Sequence, residues 1–199
     1  MTSRQYLAWF LVLSLAFRIT RLIVAIKNSK ARGRGFTTAP AMFWVMTVGY
    51  VCFLILGGWE GFSRASHFSW AISISGLCLY AAALLLRERA MSDLGRFFSP
   101  DIEIRQQHQV VREGLYRHMR HPLLACMGLE IIGVGCVLNA YWTLVVIGIG
   151  FYFPLIVIRK TIEEKALLKS LGEAYRSYQE EVWAFFPKKL LPLKIERSH

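Results

Sequence analysis

YWTLVVIGIGFYFPLIVI, residues Tyr141–Ile158, contains no Asp, Glu, Lys or Arg. About 18 such residues in a helix reach across the hydrocarbon of a bilayer, so the stretch reads as a membrane span. Gly35–Trp59 and Ala65–Leu86 are free of the same charges. Tyr6–Ile26 shares the apolar character apart from Arg18 and Arg21, and Pro122–Ala140 apart from Glu130. No segment alternates with period two, so a barrel is not expected. The pattern predicts an all-α, polytopic membrane protein with about five transmembrane helices. The first segment shows no convincing small-residue cleavage pattern and reads as an uncleaved helix.

Composition agrees with this. The chain has 199 residues, about one domain, and 55% of them are hydrophobic. Its mean hydropathy is +0.39. A net charge of +11 would point to nucleic acid in a soluble protein. Here the charges are segregated. Lys27, Lys30, Arg32 and Arg34 lie between the first two spans, and Arg87, Arg89, Arg96, Arg105, Arg112, Arg117 and Arg120 between the third and fourth. The tail after Ile158 is basic too, whereas the Asn139–Trp142 hairpin carries no charge and Arg64 is balanced by Glu60. Five crossings with the N-terminus outside put every basic segment, and the C-terminus, on the cytoplasmic face. That face suits anionic membrane lipids, and no nucleic-acid partner is expected.

Cys52, Cys78, Cys126 and Cys136 fall inside proposed helices with no CxxC pair and read as small apolar filling. Gly128, Gly133 and Gly135, with Gly148 and Gly150, read as sites of close helix packing. Pro154 is expected to kink its helix or to free a carbonyl.

Two polar stretches carry the chemistry. Asp101–Pro122, DIEIRQQHQVVREGLYRHMRHP, gathers His108, Tyr116, His118, Arg120 and His121 just before a membrane helix. Pro122 suits a first helical turn, whose free amides can bind a polar ligand. The three histidines lack a carboxylate or cysteine to complete a metal set, and no metal is expected. Arg159–Pro187, RKTIEEKALLKSLGEAYRSYQEEVWAFFP, places Arg159 and Glu163 one turn apart on a helix, followed by Glu164 and a stop at Gly172. By spacing alone these acids can equally be a solvated, salt-bridged helix start.

Taken together the two stretches resemble the isoprenylcysteine carboxyl methyltransferase family and the related membrane phospholipid methyltransferases. The residues that match are His108, Val110, Val111, Gly114, Tyr116, Arg120, His121 and Pro122. After a hairpin they continue as Arg159, Glu163, Glu164, Gly172, Tyr175, Tyr178 and Pro187, and upstream DLGRFF, Asp93–Phe98, fits as well. The resemblance covers residues 76–187 of a single domain, 1–199, in which residues 1–60 supply N-terminal membrane helices. It implies a cytoplasmic pocket for S-adenosyl-L-methionine and a lipophilic acceptor that enters from the bilayer. Donor contacts would fall to His108, Gln109, Val110, Val111, Tyr116, His121, Pro122, Leu123, Leu124 and Glu163. Arg159 would bind or orient the acceptor, and Arg159 and Glu163 would be the catalytic pair.

The chain also departs from that pattern. The family often has an aromatic residue where Leu124 stands, and an aromatic or apolar one near Glu130. An acid within a membrane helix is expensive and by default functional. Glu130 is expected either to pair with Arg18 or to contact the acceptor. Acceptors compatible with the resemblance are an isoprenylcysteine carboxylate, an isoprenoid-like acid, a phospholipid amine or a thiol. Two further readings stay open, an NADPH-dependent membrane reductase and a non-catalytic scaffold. The reductases carry Asn and Tyr after their RH pair, where this chain has Pro122, Leu123 and Leu124.

Overall fold

The computed structural model describes residues 2–31, 36–37, 40–95, 103–104 and 110–185. His108, Gln109, Phe186 and Pro187 lie outside them. Six helices succeed one another among the described residues: α1 (Ser3–Ala31), α2 (Pro40–Ser63), α3 (Trp70–Leu94), α4 (Pro122–Leu138), α5 (Tyr141–Leu171) and α6 (Glu173–Glu181). Short 3₁₀ turns occupy Ala65–His67 and Gly114–Arg117. The residue pairs β1 (Phe36–Thr37) and β2 (Glu103–Ile104) run antiparallel, Phe36 opposite Ile104. Three helices are long and apolar enough to cross a membrane, within Ala41–Ser63, Trp70–Leu94 and Tyr141–Leu171. Pro122–Leu138 is apolar but shorter.

The helices run up and down between two ends. At one end Ser3 Oγ donates to the Ala65 carbonyl at 3.3 Å. There Asn139 turns the α4–α5 hairpin at φ +53°, a left-handed conformation that Asn tolerates. Its side-chain oxygen accepts the Ser69 N–H at 2.8 Å. Glu60 does more at this end than balance Arg64, which stays 3.8 Å away. Its carboxylate accepts the N–H groups of Trp142 and Thr143 at 3.1 and 2.8 Å, capping α5 where the helix has no partners of its own. Trp59, Trp70 and Trp142 are exposed around the same end, as an interfacial aromatic belt would be.

The opposite end gathers the C-termini of α1, α3 and α5 and the start of α4. Arg21 meets Glu88 across α1 and α3 at 2.6 Å, and His121 meets Glu164 across α4 and α5 at 3.0 Å. The segments after α1 and after α3 meet here through the β1–β2 pair. α3 outlasts its uncharged block and carries Arg87 and Arg89 within the helix until Gly95, at φ +53°, ends it. Among the described residues, Arg89 and Arg120 lie toward this end.

Packing depends on close approach of backbones. A Cβ on Gly76 of α3 would stand 2.5 Å from Cys136 Cβ and 2.8 Å from the Gly133 carbonyl oxygen; one on Gly133 of α4 would meet the Tyr80 nitrogen at 2.8 Å. Ser73, fully buried, ties the same two helices by donating to the Val137 carbonyl at 2.8 Å. A Cβ on Gly135 would stand 2.9 Å from Leu144 and one on Gly148 2.9 Å from Ile131, as close-packing glycines should. Gly128 and Gly150 have no such neighbour. Around this core, Trp9, Val48, Ile55, Val146 and Ile149 point outward. In lipid such an apolar exterior costs nothing, and packing between helices has to hold the bundle.

Pro154 acts on winding. Leu144–Tyr152 is π-wound, and the Phe153 N–H bonds the Gly148 carbonyl five residues back. Proline has no N–H to give and its ring crowds the preceding turn. Widening that turn relieves the crowding, and π segments are a recognised source of helix irregularity.

Candidate functional site

The two polar stretches meet at the basic end. Gly114 opens the first turn at φ +56°, and Asp93 explains why. The Asp93 carboxylate accepts the Leu115 N–H at 2.9 Å and would collide with any Cβ at position 114. Asp93, held by Arg89 at 3.1 Å, thereby seats the turn that buries Tyr116. From the other side the Tyr178 hydroxyl donates to the Tyr116 carbonyl at 2.5 Å. Burial pushes that phenol up to about 12, so it remains a donor throughout the neutral range. α6 owes its place to Tyr175, Tyr178 and Val182, which pack with Val110, Leu167, Leu168 and Leu171. Arg112 joins α6 from outside, 2.8 Å from Glu181.

Arg120 and His121 are bound through both backbone and side chain. Their N–H groups donate to the carbonyls of Trp183 and Ala184, each at 2.9 Å. The Arg120 guanidinium donates to the carbonyls of Gln179, at 2.8 Å, and Val182, closing the end of α6. Its other nitrogens reach Glu164 Oε1 at 3.1 and 2.9 Å. The same oxygen lies 3.0 Å from His121 Nε2, and Lys160 takes the second oxygen at 2.6 Å. Because a carboxylate only accepts, Nε2 is the ring nitrogen that carries the hydrogen here. Glu164 is therefore a buried rivet joining α4, α5 and α6.

Glu163, its neighbour in sequence, differs. Its side chain is 34% exposed and approaches His121 Nδ1 at 4.0 Å. Burial first, and then the Glu163 charge, raise the Tyr116 phenol well above its ordinary value, which puts these two groups within electrostatic reach. His121 and Glu163 thus face each other, with Pro122 opening α4 directly behind His121. Leu123 is half-buried, and Leu124 is buried in the main apolar cluster together with Ile131, Val134 and Tyr152. Val111 is half-buried beside Val110 in the approach to the turn.

Arg159 lies one turn before Glu163 on α5 but reaches toward α2, where its Nη1 is 3.6 Å from Met46 Sδ. Glu130 stands apart from these residues, fully buried in α4. The expected pairing with Arg18 is present, and Arg87 adds a second partner at 2.9 Å to the other carboxylate oxygen. Arg18 in turn stacks 3.4 Å above the Tyr50 ring.

Sequence reasoning placed Glu164 in the pattern without seeing that it, and not Glu163, binds Arg120 and His121. The signal was present as an RH pair facing an EE pair. Arg87 was seen only as a basic loop residue. Its position just past a charge-free helical block, about two turns short of Gly95, was the available clue.

The donor implied by the resemblance can be tested against this geometry. S-adenosyl-L-methionine carries an ammonium, a sulfonium and a carboxylate beside adenine. Glu163 is an open carboxylate for a cation, α4 offers first-turn amides for an anion, and Phe185 supplies a ring beside His121. The residues fit.

Comparison with known proteins agrees. The model of the isoprenylcysteine carboxyl methyltransferase (ICMT) family matches residues 74–169. YpbQ of Bacillus subtilis (strain 168) is 30% identical over 99 residues, 50% of this chain and 57% of that protein. A protein-S-isoprenylcysteine O-methyltransferase of Dictyostelium discoideum is 25% identical over 154 residues, 75% of this chain and 62% of its own length. A solved structure of the eukaryotic intramembrane Ras methyltransferase ICMT shares the fold with a TM-score of 0.63 at 25% identity, covering 70% of this chain and 52% of that one. The chain spans less than two thirds of the length of each of these relatives. Both motif segments are brought together as one unit, and residues 74–169, from α3 into α5, match the isoprenylcysteine carboxyl methyltransferase family.

Proposed function

We propose that this chain is a single-domain membrane methyltransferase that transfers the methyl group of S-adenosyl-L-methionine to the carboxylate of a lipophilic acceptor, an isoprenylcysteine or a similar isoprenoid-like acid. The observation that carries the reading is the division of labour between adjacent acids: Glu164 is consumed by Arg120, His121 and Lys160, and Glu163 is left open beside His121 and Tyr116. A pocket that must hold a sulfonium donor needs such an unspent carboxylate.

The bound donor supplies an electrophilic methyl group; the rest falls to the protein. Glu163 binds the ammonium, and the start of α4, from His121 through Leu124, offers amides to the donor's polar groups. Tyr116, with Val110 and Val111 and their upstream neighbours His108 and Gln109, flanks the adenine. Displacement at a methyl group demands alignment and exclusion of water more than proton transfer. A carboxylate is already ionised near neutral pH and needs no general base. Arg159 orients it, because a fixed guanidinium suits an anion and repels an amine.

Five crossings place the donor pocket in the cytoplasm, with the N-terminus outside. The acceptor, apolar over most of its length, then arrives sideways from the bilayer. The segregation of basic segments to one end supports this orientation. Phospholipid amines and thiols are the alternative acceptors. Titration with S-adenosylhomocysteine and with NADPH separates methyltransferase, reductase and scaffold. A labelled-donor assay over lipidic carboxylates, amines and thiols then names the acceptor class. Binding of NADPH alone would refute the proposal.

A further inference from the structure

The geometry points to an anion-binding site inside the bundle, formed by Arg18 of α1 and Arg87 of α3, which holds the anionic end of a bilayer amphiphile one helical turn from Arg159. It rests on the function proposed above only in naming the acceptor as that amphiphile.

Charge balance is the first ground. Arg18 and Arg87 bind one oxygen each of a single carboxylate, Glu130. Among the described residues, one negative charge serves two guanidiniums, and the neighbouring Arg21–Glu88 and Arg89–Asp93 pairs are each balanced within themselves. The cluster therefore keeps one positive charge. Tyr50, Tyr80 and Tyr152, which are buried beside it, are neutral phenols and cannot cancel that charge.

Access is the second. Glu130 is 0% exposed, whereas the side chains of Arg18 and Arg87 are 23% and 26% exposed. Each arginine spends a single nitrogen on Glu130, and a guanidinium is a fork with more donors than that. The unspent charge is thus carried by the two residues that a ligand can reach. From sequence, Glu130 itself was a candidate contact for the acceptor. With Glu130 enclosed, the site selects an anion.

Position is the third. Arg18 lies over the Tyr50 ring, and Arg159 reaches Met46. Met46 and Tyr50 are both buried and stand four residues apart on α2, about 6 Å along a helix. The two cationic groups therefore follow each other along one face of α2. A carboxylate drawn in from the bilayer meets Arg18 and Arg87 first and then has Arg159 one turn nearer to Glu163.

The test uses the full chain in detergent, with oleate as the probe and methyl oleate as its uncharged control. Nanodiscs with and without phosphatidic acid in phosphatidylcholine test a phosphate headgroup as the alternative source of the anion. Wild type should bind oleate about tenfold or more tightly than methyl oleate, the size of a charge-assisted hydrogen bond. Arg87→Gln brings the cluster to neutrality and should abolish the preference. Glu130→Gln frees a second charge and should increase it. The double variant Arg87→Gln with Glu130→Gln restores one net charge and should regain the preference, which a merely structural ion pair would not do. This variant also keeps the test decisive if Arg87→Gln fails to fold. Equal affinity for oleate and methyl oleate in wild type would overturn the site, as would losses of the same sign in Arg87→Gln and Glu130→Gln. Binding of phosphatidic acid but not of oleate would overturn the acceptor assignment. If S-adenosylhomocysteine fails to bind while the oleate preference and its variant pattern hold, the proposed function falls and the anion site stands.

Discussion

Glu164 and Glu130 are both buried carboxylates that bind arginines, yet they sit in contrasting surroundings. Glu164 lies within α5, and its partners are Lys160, one turn before it on the same helix, and Arg120 and His121 of the turn that leads into α4. Glu130 lies within α4 and, among the described residues, is held by Arg18 and Arg87, from helices α1 and α3. The first cluster locks together segments that lack regular structure of their own. The second crosses a bundle already held by glycine contacts at Gly76 and Gly133. A buried acid thus fixes the shape of the site in one place and sets the charge of the interior in the other.

The contrast breaks most readily at Glu164. Glu164→Gln should lower stability by about 3–5 kcal/mol, because it leaves Arg120 and Lys160 without their shared anion. Thermal unfolding in detergent would register this. Glu163→Gln, one residue away, should stay within about 0.5 kcal/mol of wild type. Equal destabilisation by the two would erase the distinction between rivet and open acid.

Arg159→Ala comes next and acts on rate. It should lower acceptor-dependent turnover by about tenfold or more, as loss of a charged hydrogen bond does, and leave donor affinity nearly intact. Equal loss of both would mean structural damage. For the packing that carries Glu130, Gly133→Ala should cost about 1–3 kcal/mol, since a Cβ there meets the Tyr80 backbone. Gly128→Ala, with only Ile156 Cδ1 at 3.7 Å, should be near neutral in the same unfolding measurement. The smallest effect belongs to the exposed Arg112–Glu181 pair, where Glu181→Gln should change stability by less than about 1 kcal/mol.

How much of this was legible beforehand follows the physics of each signal. The three long apolar helices came from hydropathy, and the hairpin from Asn139–Trp142, because lipid imposes long apolar helices. The proposed donor region came from a resemblance carried by residues such as Tyr116, His121 and Glu163. The length of α3 did not follow, since helix propensity carries Arg87 and Arg89 past the apolar block where hydropathy stops. Which acid would be buried was also not readable. Glu163 and Glu164 differ by one residue and hence about 100° of helix face, and only the return of residues 183–184 against Arg120 and His121 decides between them. Glu60 read as a loop charge, because its capping partners Trp142 and Thr143 lie far along the chain.

The central claim is that Glu163 is the carboxylate kept open for the donor. Titration of S-adenosylhomocysteine, which retains the donor's ammonium, into wild type and Glu163→Gln tests it most directly. Wild-type binding should weaken in Glu163→Gln by roughly 1.5–3 kcal/mol, about tenfold to a hundredfold, with the unfolding temperature unchanged. Unaltered affinity in a folded Glu163→Gln protein would contradict the assignment.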